Sequence, residues 1–165
     1  GPMIMKETCA ITEETTASEL HDKLAEIGGS LIVKVRDELA INRQLESEVQ
    51  NNEHSTYASL LKKENGIINW SISAEDIHRQ VRALNPWPGV WTELDGKRLK
   101  ILEADVFVLP DTTSAEPGTI LNKNGDITCG QGVLRIRTLQ PEGKKPMDFQ
   151  AALNGGYLAI NQNLA

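Results

Sequence analysis

The most regular hydrophobic pattern in the chain lies near its middle and predicts a helix. Ile77, Val81 and Leu84 are spaced so that they share one face of an α-helix. Ser73 precedes them as the predicted N-cap. Pro86 ends the helix, because the residue before a proline is pushed out of the helical region. We therefore interpret this segment as a capped amphipathic helix.

A β-hairpin is predicted directly after that proline. Residues 90–94 and 98–102 flank Asp95-Gly96, a dipeptide typical of two-residue hairpin turns. Residues 104–109 extend the second strand or form a bulged continuation of it. Residues 110–116 are polar and are expected to form a loop.

Further along, short apolar segments alternate with glycine-containing turns. They predict three more strands, over residues 118–123, 126–129 and 133–139. In the last of these, Leu134 and Ile136 alternate with Arg135 and Arg137, so that one face is apolar and the other cationic. Asp148 is the predicted cap of a final helix that ends at two glycines. This order predicts an α+β fold with a small OB-like Greek-key β-barrel and flanking helices, although the periodicity alone allows another small barrel.

The N-terminal part predicts a strand and two helices. Residues 3–9 alternate loosely, as in a short strand, and Thr16 with Glu19 forms a capping box before an apolar stripe. Gly28-Gly29 is expected to interrupt the helix, and a second helix continues to about Ala40. Three such elements are too few for a core of their own, so their apolar stripe is expected to pack on something else.

Between these parts, residues 46–66 are predicted to be a linker with a short helix. The helix is expected to run from Thr56 to Glu64, with Leu60 and Leu61 facing inward. The predicted division is therefore residues 3–45, the linker over 46–66 and the barrel domain over 67–165.

The acidic and basic residues are distributed unevenly along the chain. The chain has 165 residues and a net charge of −6, and residues 1–55 hold 5 Lys/Arg against 11 Asp/Glu, so the whole acidic excess lies there. A sequence pI near 5.1 argues against a dedicated, tight nucleic-acid binder. It leaves room for a local basic face in the neutral C-terminal part.

Few residues are candidates for chemistry. His21, His54 and His78 each lack a second ligand at helical spacing, so we predict no metal site. Cys9 and Cys129 are far apart and have no metal-ligand spacing, which favours a reduced, cytoplasmic setting. No apolar run is long enough to span a membrane. We predict no catalytic and no cofactor-binding residue.

Several motifs, kept in order along nearly the whole chain, resemble the C-terminal domain of methionyl-tRNA formyltransferases. They are Asn69-Trp70, Ile77-x4-Arg82-Ala83, Asn85-Pro86-Trp87-Pro88-Gly89-Val90-Trp91, Pro117-Gly118-Thr119-Ile120 and Leu139-Gln140-Pro141-Glu142-Gly143-Lys144-Lys145-Pro146-Met147. The resemblance favours the OB-like barrel among small barrels. It also implies that residues 3–45 are the end of a Rossmann-like catalytic domain.

The same resemblance implies a function. Enzymes of this family transfer a formyl group from the co-substrate 10-formyltetrahydrofolate to initiator methionyl-tRNA, in translation initiation. Their catalytic Asn, His and Asp and their folate loop belong to the N-terminal domain, and none of those motifs occurs here, so this chain is expected to be inactive alone. The implied partners are initiator methionyl-tRNA and the N-terminal catalytic domain, in the cytoplasm and without a membrane.

What remains is recognition by cations. Lysine and arginine neutralise phosphates, and three segments supply the predicted tRNA-binding residues. These are Lys97, Arg98, Lys100, Arg135, Arg137, Lys144 and Lys145. The alternative is an ordinary solvated face. Trp87 and Trp91 are interpreted as core or domain-interface residues rather than base-stacking platforms. Two rival functions stay open: the C-terminal domain of another folate-dependent formyltransferase or hydrolase, and a non-enzymatic barrel that binds RNA or protein.

Overall fold

The computed structural model describes residues 1–107 and 115–165. They form two compact units, Gly1–Leu60 and Leu61–Ala165. None of the helices in these described ranges combines the length and the hydropathy that crossing a bilayer requires.

The first unit is built on one long helix, α1 (Ala17–Asn42). Its capping box forms as predicted, because the Thr16 hydroxyl accepts the N–H of Glu19 while the Glu19 carboxylate accepts the N–H of Thr16. The prediction that Gly28-Gly29 interrupts the helix is wrong. A glycine costs about 1 kcal/mol relative to alanine in a helix, but it keeps both backbone hydrogen-bonding groups, so the ladder continues through the pair.

Two other predictions for the first 66 residues are also wrong. The strand over residues 3–9 is absent, and Met3 makes only an isolated bridge with Glu48. No helix runs from Thr56 to Glu64, and Leu60 is 89% exposed. The segment is too short to form a helix without a surface to pack on, and two short 3₁₀ turns form instead, at Asn52–His54 and Lys63–Gly66.

The second unit holds two helices and five strands. The helices are α2 (Ala74–Leu84) and α3 (Phe149–Asn154). The strands are β1 (Val90–Leu94), β2 (Lys97–Phe107), β3 (Asp126–Thr128), β4 (Val133–Pro141) and β5 (Met147–Asp148). Both predicted helix caps form, since the Ser73 hydroxyl accepts the N–H of Asp76 and the Asp148 carboxylate accepts the N–H of Ala151.

The strands form one antiparallel sheet in the order β1-β2-β4-β3, and β5 pairs with β4. The α+β class is thereby confirmed. The described strands form an open sheet, so the closed OB-like barrel stays a prediction. The hairpin is confirmed, with Asp95 and Gly96 both at positive φ, as its turn type requires.

The continuation of the second strand is confirmed as far as Phe107. The register with β4 shifts on both sides of Glu103, which is the expected bulge. The rest of that predicted segment, residues 108 and 109, and most of the predicted loop after it lie outside the described residues. The predicted strand over 118–123 is wrong: Thr119 and Ile120 make only isolated bridges, to Asn163 and Ile127.

The core of this unit lies between α2 and the inner face of the sheet. Ile77 and Val81 of α2 are buried against strand residues such as Ile101 and Leu139. Trp70, just before α2, is 2% exposed, and its indole N–H donates to the carbonyl of Leu164 at 3.0 Å. The last residues of the chain therefore form part of the core.

Candidate nucleic-acid interface

Two tight turns lie side by side at one end of the sheet. The first is the β1–β2 hairpin turn, and the second follows β4 at Pro141–Lys144. They are neighbours because Leu99 of β2 is the register partner of Pro141. Glu142 links them, since its carboxylate accepts the backbone N–H of Arg98 at 2.9 Å.

The second turn is fixed by its own hydrogen bonds. The backbone N–H of Lys144 donates to the carbonyl of Pro141 at 3.0 Å, and the amide of Gln140 donates to the carbonyl of Lys144 at 2.7 Å. Gly143 sits at φ +71°, a conformation that favours glycine. The backbone that carries Lys144 is therefore held in place.

Three of the predicted cationic residues line one groove between these turns: Lys97, Arg98 and Lys144. The groove has a volume of about 230 Å³, and Tyr157 is part of its wall. The ammonium of Lys144 lies 5.9 Å from the centroid of the Tyr157 ring. The guanidinium of Arg98 lies 4.2 Å from the centroid of Trp91, within the range of a cation–π contact. Cations and aromatic rings are thus interleaved at this end of the sheet.

Arg135 and Arg137 are engaged differently, because each forms an ion pair with an aspartate. Arg135 makes two hydrogen bonds to the carboxylate of Asp126, one of them at 2.9 Å, and its guanidinium lies over Phe107. Arg137 pairs with Asp105 on the exposed face of the sheet. Neither lines the groove, so the structure does not bring all seven predicted residues together.

The Asp126–Arg135 pair is electrostatically tight. Burial alone raises the pKa of Asp126, but the hydrogen bonds from Arg135 and Asn122 and the charges of Arg135 and Arg137 outweigh it and hold that pKa below its ordinary value. In return, the hydrogen bond to Asp126 raises the pKa of Arg135. The main role of Arg135 is therefore to neutralise the buried Asp126, and its positive charge is already compensated.

The two remaining predicted residues lie outside the groove lining. Lys100 is exposed on β2, opposite Gln140 in the neighbouring strand. Lys145 is exposed directly after the second turn. Both are exposed, and no contact with another described residue fixes their side chains relative to the groove.

The tryptophans divide between exposed and buried positions. Trp87, in the turn after α2, is 60% exposed, so its assignment to the core is wrong, and its place at a domain interface stays a prediction. Trp91 is half-buried under Arg98. The core tryptophan is Trp70, which the sequence indicated only as part of the Asn69-Trp70 motif. Its alternation with the apolar Ile68 was the available signal.

The described residues offer little other chemistry. Cys129 is buried, and burial raises the pKa of its thiol to about 11, so it stays protonated at neutral pH. In the two described ranges, no three His, Cys, Asp or Glu side chains are grouped so that they could hold a metal ion.

Comparison with known proteins adds three findings. A family model described as "Formyl transferase, C-terminal domain" matches residues 60–156. Two curated relatives named methionyl-tRNA formyltransferase, from Rickettsia bellii and Marinobacter nauticus, are 42% and 40% identical, each over 94% of this chain. The chain spans about half the length of these relatives, 49% and 50% respectively.

Solved structures agree at the level of fold. Two variants of HypX from Aquifex aeolicus superpose with TM-scores of 0.56 and 0.63, at 13% and 12% identity. The matches cover 80% and 94% of this chain and 23% and 28% of theirs. At this identity the likeness concerns the fold alone.

Proposed function

The chain belongs to the formyl transferase C-terminal domain family, and from this premise we propose that it is the C-terminal half of a methionyl-tRNA formyltransferase. The whole protein would transfer a formyl group from 10-formyltetrahydrofolate to the amino group of initiator methionyl-tRNA, in the cytoplasm during translation initiation. The similarity to two relatives of that name, extending over 94% of the chain, supports this choice over a formyltransferase or hydrolase with another substrate.

Within that enzyme the chain contributes binding and no catalytic group. The residues that line the groove include cations, two carboxylates and an aromatic ring, but no nucleophile next to a base. The catalytic set and the site for the folate co-substrate are assigned to the other half of the protein. That half is also the proposed partner of α1, whose apolar side chains are not buried within its own unit.

The observation that carries the binding role is the convergence of Lys97, Arg98 and Lys144 on one groove. Cations on rigid turns hold the phosphates of a folded RNA without reading its sequence. We therefore assign tRNA contact to this end of the sheet, with Lys100 and Lys145 as flanking charges. Arg135 and Arg137 stay candidate tRNA contacts elsewhere on the same sheet, where each is paired with an aspartate.

Salt-dependent titration tests this assignment. We expect the chain to bind tRNA weakly, with a Kd of about 10⁻⁴ to 10⁻⁶ M that rises steeply with salt, because phosphate contacts release counterions. Changing Lys97 and Lys144 together to Glu is expected to weaken binding and to flatten the dependence of log Kd on log salt. Initiator and elongator tRNA are expected to bind almost equally.

The matched control reverses two lysines in the other unit. Lys23 and Lys34 are exposed on α1, and their change to Glu alters the net charge by the same amount. If both double variants lose the same affinity, the groove has no special role and the assignment fails.

A further inference from the structure

The groove between the two turns has a wall that phosphate binding alone does not require. Leu94 and the ring of Tyr157 line it, above the buried core residue Leu99. Apolar and aromatic surface of this kind attracts the flat face of a base, whereas phosphates need only the cations. The groove thus combines two chemistries within a few ångströms.

The Tyr157 ring is held in a fixed position. Its backbone N–H donates to the carbonyl of Ala152 at 3.0 Å, which ties it to the end of α3. A Cβ at Gly155 would lie 2.8 Å from Cε2 of the ring, so the glycine leaves the space that the ring occupies. One side of Tyr157 packs on the core, and its hydroxyl makes no hydrogen bond to any described residue. The ring is a preformed surface whose polar end is available.

Charge and size narrow the choice of ligand. The ammonium of Lys144 lies over the ring of Tyr157, 5.9 Å from its centroid, and Lys97 lines the same groove. Lys144 is exposed, so its side chain can turn from the ring toward a phosphate when a base stacks there. The volume of about 230 Å³ is below the range of pockets that enclose a whole drug-sized molecule or cofactor, so the groove can hold one part of a larger ligand, such as a base. Asp95 and Glu142 at the same groove disfavour a ligand that is acidic throughout. A single nucleotide meets these conditions, because its base is apolar on its faces and its charge lies on the phosphate.

We propose that this groove binds one unpaired nucleotide of an RNA, with its base stacked on Tyr157 and its phosphate contacting Lys97 and Lys144. The inference rests on the proposed function and deepens it, since it assigns the groove to a single-stranded part of the tRNA. A base inside a duplex is covered on both faces by its neighbours and does not reach the ring. Recognition of this kind selects unpaired RNA with little preference for which base is present.

A comparison of single-stranded and duplex RNA tests the proposal. The 165-residue chain is titrated with a fluorescently labelled single-stranded oligouridylate and with a blunt RNA duplex that carries the same number of phosphates. We expect tighter binding of the single strand. Tyr157→Leu is expected to weaken single-strand binding about tenfold, the loss of one base–aromatic stack, and to leave duplex binding unchanged. Tyr157→Phe keeps the ring and is expected to bind within about twofold of the unchanged chain.

The chain supplies a matched control in Tyr57, which is exposed in the other unit. Tyr57→Leu is expected to change neither titration. Circular dichroism shows whether Tyr157→Leu is folded, and the comparison of single strand with duplex in the unchanged chain stands even if that variant does not fold. Equal affinity for single strand and duplex overturns the proposal, as does full displacement of the single strand by a phosphate-free polyglutamate peptide. The tRNA titration distinguishes this failure from a failure of the proposed function. If tRNA binding depends on salt and on Lys97 and Lys144, the proposed tRNA-binding role is kept. If the chain does not bind tRNA in this way, that role is contradicted as well.

Discussion

At the scale of single residues, the most consequential charge in the structure is buried. Asp126 is 2% exposed and lies on β3 directly opposite Arg135 of β4. A buried carboxylate is unfavourable unless hydrogen bonds and an opposite charge compensate it. Arg135 supplies hydrogen bonds and the opposite charge, and Asn122 donates one further hydrogen bond. Because these partners hold the pKa of Asp126 below its ordinary value, folding and ionisation of this group are coupled.

Asp126→Asn is therefore expected to lower the free energy of unfolding by about 3 kcal/mol at neutral pH, since it leaves Arg135 partly buried without its counter-charge. The stabilisation from a lowered carboxyl pKa is present above the unfolded pKa of about 3.9 and is lost as the pH falls through the folded value. The difference between the two proteins is thus expected to shrink below about pH 4. Urea unfolding at a series of pH values measures it.

Asp105→Asn is the control for that experiment, because Asp105 pairs with Arg137 on the same sheet but is half exposed. Solvent screens such a pair, and its loss is expected to cost at most about 1 kcal/mol. Equal losses in the two variants would contradict the account of Asp126.

The sequence predicted residue roles where they depend on near neighbours. Helix caps at Ser73 and Asp148 follow from contacts three residues away, and both were predicted correctly. The alternation of β4 correctly placed Arg135 and Arg137 away from the apolar side chains, but it contains no information on what faces them. Asp126 and Asp105 come from the neighbouring strands, so these ion pairs emerge only once the register is known.

At the scale of elements, α1 shows that a local signal can be outweighed. Gly28-Gly29 is a helix-breaking pair by composition, yet the helix runs through it for 26 residues. A Cβ added at either glycine meets nothing within 4 Å. Among the described residues, therefore, no packing requires the pair, although it weakens the helix.

Changing both Gly28 and Gly29 to Ala is expected to stabilise α1 by about 1–2 kcal/mol in total, because alanine loses less backbone entropy in a helix. Helical ellipticity and amide protection within α1 are expected to rise. Gly96→Ala is the counterpart: open space also surrounds Gly96, but its φ of +72° strains an L-residue, so the same change is expected to destabilise the hairpin by about 1 kcal/mol. If alanine stabilised the chain at both sites, or at neither, the backbone conformation would not decide whether a Gly→Ala change stabilises or destabilises.

One of the wrongly predicted elements, the strand over residues 118–123, depends partly on distant partners. The hairpin at Asp95-Gly96 was predicted correctly because its turn chemistry is contained in two residues. Residues 118–123 looked like a strand, but their backbone hydrogen bonds are divided between β3, as in Leu121 to Asp126, and the C-terminal segment, as in Ile120 to Gln162. The local sequence pattern does not predict the pairing with the C-terminal segment, because the partners lie more than 40 residues apart. The closed barrel was predicted from the number of strands and from the resemblance. The described strands form an open sheet, so barrel closure stays a prediction.

At the scale of the whole molecule, the two units differ in what stabilises them. Within residues 1–60, all of which the structure describes, none is buried, and apolar side chains such as Ile32 and Ile41 are exposed. Residues 61–165 contain the hydrophobic core, closed by Trp70 and Leu164. Burial of apolar surface is the main favourable contribution to folding, so the first unit lacks the usual source of stability. This agrees with our proposal that α1 packs on the other half of the parent enzyme.

Amide hydrogen exchange on the intact chain tests this difference. Amides of α1 open without exposing a core and are expected to exchange much faster than those of β2 and β4, whose opening requires the second unit to unfold. The measurement is made at several protein concentrations, because a second copy of the chain is another surface that can cover the apolar stripe of α1, which contains Leu24 and Leu39. Protection of α1 that rises with concentration identifies self-association as the substitute for the missing partner. Uniformly slow exchange at every concentration would contradict the picture, because α1 would then be stable without burying any residue.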